Sequence, residues 1–155
     1  MNDAEDLAEL SDSRTFDNLK VAFSGDCQAA ARYRTFASRA DLNGQVESAR
    51  TLLDTARGKE LQAEQQLDFL RNVVDPQTGS PMGTCETDLT SALARATYEA
   101  ETLYPGFART AHEEGFDMVG RWFDTQADTA RHHAAAFRRA LESVKLSSQD
   151  EAHSG

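Results

Sequence analysis

Apolar residues recur at alternating spacings of three and four in four long stretches, and that rhythm leaves little choice of fold. The first stretch reads Leu19, Ala22, Asp26, Ala29, Tyr33, Phe36, Ala40. The second reads Leu52, Ala56, Lys59, Ala63, Leu67, Leu70. The third begins near Asp88 and reads Leu89, Ala92, Ala96, Glu99, Leu103; Pro105-Gly106 should distort or interrupt it, and the pattern resumes at Phe107, Ala108, Ala111. The fourth reads Val119, Phe123, Gln126, Ala130, His133, Phe137, Leu141, Val144. Side chains three and four apart share one face of an α-helix, so each stretch predicts an amphipathic helix. Each stripe is interrupted midway by a polar residue: Asp26, Lys59, Glu99 and His133. Charged side chains are seldom buried unless paired, so a fold that joins the four stripes also joins these four residues.

The connections select a topology. Asn43-Gly44 and Glu114-Gly115 are tight turn signals, and short links make antiparallel hairpins. The middle link, residues 73–87, is rich in Gly, Pro, Ser and Thr. Fifteen extended residues reach ~50 Å, enough to cross the ~40 Å length of a 27-residue helix. Two hairpins joined by one long crossover make an all-α, ferritin-like four-helix bundle. The halves also echo one another. Tyr33, Phe36, Ala37, Ala40 and Gly44 recur as Tyr104, Phe107, Ala108, Ala111 and Gly115 at a constant offset of 71, as a duplicated hairpin would. The expected organisation is a flexible acidic segment at 1–14, the bundle at 15–146 and a disordered tail at 147–155.

Charge narrows the partners. With 16 basic and 26 acidic residues the chain carries a net charge of −10, which argues against nucleic acid and anionic membrane. No apolar run approaches the ~18 residues of a membrane span, and the acidic start lacks the pattern of a secretory signal. The expected location is the cytoplasm. Cys27 and Cys85 form no C-x-x-C pair, so neither a zinc ribbon nor a rubredoxin-type iron site is built from them.

Two stretches resemble the rubrerythrin family. Gly25-Asp26-Cys27-Gln28-Ala29, followed by Arg32-Tyr33 and Phe36-Ala37, is similar to the family's motif G-E-S-Q-A-x-x-R-Y-x-x-F-A. Tyr98-Glu99, then Tyr104-Pro105, Phe107-Ala108 and Glu113-Glu114-Gly115-Phe116, resembles its third-helix motif. With His132-His133, the resemblance covers residues 17–145. It implies a homodimer and a di-iron site, and the rubredoxin-like domain of many members has no counterpart in this sequence. The family's ligands are one Glu on the first helix, then E-x-x-H, E-x-x-E and E-x-x-H on the others. Here those positions hold Asp26; Lys59 and Gln62; Ala96 and Glu99; and Ala130 and His133. The positions that would bridge two irons are Lys59 and Ala130, so the usual centre is not expected.

Two readings follow. In the first, the Lys59 ammonium repels metal and neutralises Asp26 and Glu99, replacing the cluster with an internal ion pair whose loss would strand charge. The protein is then a metal-free or metal-poor binding or regulatory module in a redox or stress context. In the second, Lys59 swings away on its long stem. Asp26, Glu99 and His133 then hold a single iron, manganese or zinc ion, and the protein is an oxidoreductase. Tyr33 and Tyr104 match family tyrosines near the metal, placed to hydrogen-bond a carboxylate, relay electrons or simply pack. A third reading places a small organic ligand in the bundle core, filling volume vacated at Ala96 and Ala130, and a protein is the other candidate partner.

Overall fold

The structure, a computed structural model, describes residues 10–71 and 73–153, with side chains through 148. The chain divides between Pro76 and Gln77 into two helical units. No strand occurs among the described residues, and no helix among them is long and apolar enough to cross a membrane.

The first unit is a hairpin of α1 (Arg14–Leu42) and α2 (Val46–Leu70). A short 3-10 turn, Leu10–Asp12, leads into it. Ser13 caps α1 by accepting a 3.1 Å hydrogen bond from the Phe16 N–H onto its hydroxyl oxygen. The expected flexible segment therefore gives way to ordered structure by Leu10; residues 1–9 lie outside the described residues. The second unit contains α3 (Cys85–Tyr98), a π-helical turn (Glu99–Leu103), α4 (Tyr104–Glu113) and α5 (Asp117–His153). The first three pieces form one continuous helical run that lies against α5.

Helix α3 starts three residues earlier than the Asp88 expected from sequence, because Thr84 and Thr87 form a reciprocal cap. The Thr87 N–H donates to Thr84 Oγ1 at 3.1 Å, and the Thr84 N–H donates to Thr87 Oγ1 at 3.0 Å. Proline was expected to disturb the third helix. It does so through the π turn, where the Tyr104 N–H reaches back five residues to the Glu99 carbonyl. Pro105 then sits in the first turn of α4, directly after the π turn. At the other end, α5 runs on to His153, so the stretch read as a tail is helical through that residue.

Both tight turns are the same Schellman motif. In the first hairpin the Gln45 N–H bonds the Ala40 carbonyl at 2.8 Å and the Gly44 N–H bonds the Asp41 carbonyl at 2.9 Å. In the second, the Phe116 N–H bonds the Ala111 carbonyl at 2.7 Å and the Gly115 N–H bonds the His112 carbonyl at 3.1 Å. Gly44 and Gly115 have φ of 73° and 83°, a conformation that favours glycine. The motif repeats at the offset of 71 seen in the sequence.

Alanine makes the seams. Ala30 and Ala37 of α1 and Ala56, Ala63 and Leu70 of α2 are the buried side chains along the middle of the first hairpin. In the second unit the buried apolar set is Ala96, Ala100, Ala108, Ala111, Ala127, Ala130, Ala134 and Leu141, and Ser91 is buried as well. This shifts the expected α1 stripe by one residue: Ala30 and Ala37 are buried, whereas Ala29, Tyr33 and Ala40 are half-buried and Phe36 is exposed. Small side chains permit close helix approach, and the larger apolar groups flank the contact. Ala56 has no exposed surface. Ala56→Leu should therefore overpack the first hairpin and cost about 1–3 kcal/mol, read as a lower denaturant midpoint at unchanged m-value.

Candidate functional site

The middle of the first hairpin carries a three-residue polar cluster. Asp26 lies on α1 one turn before Ala30. Lys59, Ala63 and Gln66 follow one another on α2 at spacings of four and three, hence on one face. With alanine on both sides of the seam, nothing bulky separates the polar groups. Lys59 Nζ donates to Asp26 Oδ1 at 2.8 Å, and Gln66 Nε2 donates to Asp26 Oδ2 at 2.8 Å. Both carboxylate oxygens are thereby engaged. The hydrogen bond from Lys59, then that from Gln66, hold the Asp26 carboxyl below its usual range, partly opposed by desolvation.

The amide of Gln66 is oriented by this contact, since a flip would turn its oxygen towards the carboxylate. Its Oε1 is then a buried acceptor with no donor among the described residues. The ion pair is less sealed than a buried stripe would make it: side-chain exposure is 31% for Lys59 and 16% for Asp26. Two turns along α1, the Arg34 guanidinium grips Glu60 with two 2.6 Å hydrogen bonds, a second tie between the helices.

In the second unit, Glu99 opens the π turn and is answered from its own helix. Arg95 Nε donates to Glu99 Oε1 at 2.7 Å, an i,i+4 pair that also sets the guanidinium over the Tyr98 ring. Lys59 was expected to neutralise Asp26 and Glu99 together. It pairs with Asp26, while Glu99 has its own cation. Ala96 and Ala130 are buried at 4% and 2% exposure. His133 is exposed, as is Gln62. Within neither unit do three His, Cys, Asp or Glu side chains gather as a metal site among the described residues.

The tyrosines pack as aromatics. Tyr33 lies 6.4 Å from Phe36 between ring centroids, and Tyr104 stacks on Phe123 at 6.2 Å. Neither hydroxyl makes a hydrogen bond among the described residues. Phe123 also meets Phe107 and Trp122 edge to face at 5.3 and 5.1 Å. Cys27 and Cys85 are both exposed free thiols, the latter at the first residue of α3. His132 donates through Nδ1 to the Asp128 carbonyl at 2.8 Å.

Two members of the polar clusters, Gln66 and Arg95, escaped the sequence reading. Their signals were present: Gln66 stands seven residues after Lys59, two turns along the same face, and Arg95 precedes Glu99 by four.

Because the Asp26 carboxyl titrates below its usual range, its contribution to folding is complete above the ordinary aspartate range. It is lost as pH falls through the lowered value. Lys59→Met should move the Asp26 titration back up towards the ordinary range and shift that loss to higher pH. Carboxyl-carbon NMR titration of wild type and variant would show it; an unmoved Asp26 would mean that Lys59 does not hold the carboxylate.

The rubrerythrin family model matches residues 17–141. Rubrerythrin-1 of Clostridium acetobutylicum is 28% identical over 147 residues, covering 90% of this chain and 75% of that protein. The rubrerythrin of Porphyromonas gingivalis is 32% identical over 137 residues, covering 86% and 68%. Nigerythrin of Nitratidesulfovibrio vulgaris is 30% identical over 149 residues, covering 90% and 71%. With its motifs, its duplicated hairpins and this match over most of its length, the chain belongs to the rubrerythrin family and has that family's all-α, ferritin-like fold.

Proposed function

We propose that this rubrerythrin-family protein has exchanged the family's di-iron centre for internal ion pairs. It acts as a metal-free or metal-poor binding or regulatory module in a redox or stress context. The observation that carries this reading is the 2.8 Å contact of Lys59 Nζ with Asp26, at two of the positions where the family places ligands. The Arg95–Glu99 pair supports it from the other unit. The remaining donors do not suit a di-iron centre. Ala96 and Ala130 offer methyl groups, and Gln62 offers an amide where imidazole is needed. A cation entering at Asp26 or Glu99 must first displace an ammonium or a guanidinium. A cytoplasmic homodimer, with a protein partner or a small ligand in the core, fits this reading.

A different class of function rests on two other observations. Lys59 retains a path to solvent at 31% exposure, and the His133 ring has no hydrogen-bond partner among the described residues. If Lys59 leaves, Asp26, Glu99 and His133 supply the two carboxylates and one imidazole suited to one iron, manganese or zinc ion in an oxidoreductase.

Metal content separates the two. Protein purified without chelator should carry under about a tenth of an equivalent of transition metal per chain, a level that three committed ligands would exceed. Near-stoichiometric metal that disappears in His133→Ala would overturn the metal-free reading in favour of the single-ion centre.

A further inference from the structure

The second hairpin holds a charge cluster that neither reading uses. His112 is the penultimate residue of α4, just before the Schellman turn. Its Nδ1 lies 3.0 Å from Asp117 Oδ1, and its Nε2 lies 3.4 Å from Asp124 Oδ2. Asp117 and Asp124 stand seven residues apart on α5, so they present carboxylates two turns apart on one face. Gly120 lies between them. A Cβ built there would come within 2.6 Å of the His112 ring, so the imidazole occupies the notch that glycine leaves. Three side chains and one missing side chain thus agree on a single ring position.

We propose that His112, Asp117, Gly120 and Asp124 form a proton-operated latch that fastens the tip of the second hairpin to the first two turns of α5. With both ring nitrogens protonated, the imidazolium donates to both aspartates. On loss of one proton to solvent the ring keeps a single N–H. The shorter contact retains it, so Nδ1–H stays on Asp117 while the Nε2 lone pair faces the Asp124 carboxylate. That arm is lost and becomes repulsive, and the turn is held by its backbone bonds and one arm alone.

The surroundings favour the closed form. Hydrogen bonds to Asp117 and then to Asp124 raise the affinity of His112 for its second proton, against a smaller cost of desolvation. Reciprocally, the His112 hydrogen bond holds Asp117 below its usual range, with Arg121 adding in the same direction. On α4 itself the nearest charges are Arg109 and Glu113. On the π turn, Glu99 is engaged by Arg95, and Glu101 lies eleven residues, about 16 Å of helix rise, from His112. The sign follows: the latch contributes fully below the ordinary histidine range and is lost as pH rises through the raised value. Phe116, Met118 and Trp122 are exposed along the latched segment, so opening loosens an apolar surface of the hairpin.

Amide hydrogen exchange on the full-length protein, expressed as protection factors across pH 5.5–8.5, tests the latch beside an NMR titration of the His112 ring. The midpoint should lie above the ordinary value of about 6.5. Protection over residues 114–122 should fall several-fold through that same midpoint. His112→Gln should abolish the step and leave the segment at its high-pH protection. Asp124→Asn, an exposed change that leaves the fold intact, should also flatten the step, because an amide can donate to the neutral Nε2. A midpoint at or below the ordinary value, or a step that persists in either variant, would overturn the proposal.

Discussion

Buried alanine along the helix seams is the constraint on which the two hairpins depend. Ala30 and Ala37 of α1 and Ala56 and Ala63 of α2 are buried, as are Ala96, Ala108, Ala127, Ala130 and Ala134 in the second unit. Methyl groups contribute little apolar area each, but they set a short interaxial distance. At that distance a lysine and a glutamine from one helix span to a carboxylate on the other, and an arginine fork closes on a glutamate. Larger residues in the seam would separate the helices and place Asp26 and Lys59 out of hydrogen-bond reach. The polar cluster is therefore a consequence of the packing as much as of its own attraction.

Charge compensation is the second theme. A ferritin-like protein that holds metal concentrates carboxylates and lets the cation balance them. Here Asp26 and Glu99 are each balanced by a side chain. The two solutions differ in character. Lys59 reaches Asp26 across the hairpin and ties two helices. Arg95 reaches Glu99 along one helix, at the entry to the π turn, and ties nothing beyond its own strand of backbone. Removing either cation strands a carboxylate, but only the first also loosens a helix pair.

Much of the fold was legible because it rests on local rules. The 3–4 rhythm of the stripes, the Asn43-Gly44 and Glu114-Gly115 signals and the offset of 71 between the halves all reappear as helices and matched Schellman turns. Errors fell where one local rule competed with another. The third helix begins at Cys85, because Thr84 and Thr87 cap it in a stretch that composition marks as loop. The seam of α1 passes through Ala30 and Ala37, because bulk decides which flank of an apolar stripe makes the closest contact. The Lys59–Asp26 pair was legible from polar residues interrupting stripes. Gln66 and Arg95 were not, since a glutamine or arginine on a helix face reads as solvated surface until a partner is in place.

By itself the sequence determined the all-α class, the hairpin turns and the family, because periodicity, turn chemistry and motif are properties of residues near one another in the chain. Only the tertiary structure decided which cation meets which carboxylate. It assigned Gln66 to Asp26, gave Glu99 its own arginine and seated His112 in the notch at Gly120. The Gln66 and His112 choices turn on distances between side chains of different helices, which are set by how closely the helices pack, whereas the Arg95–Glu99 pair is fixed within one helical run.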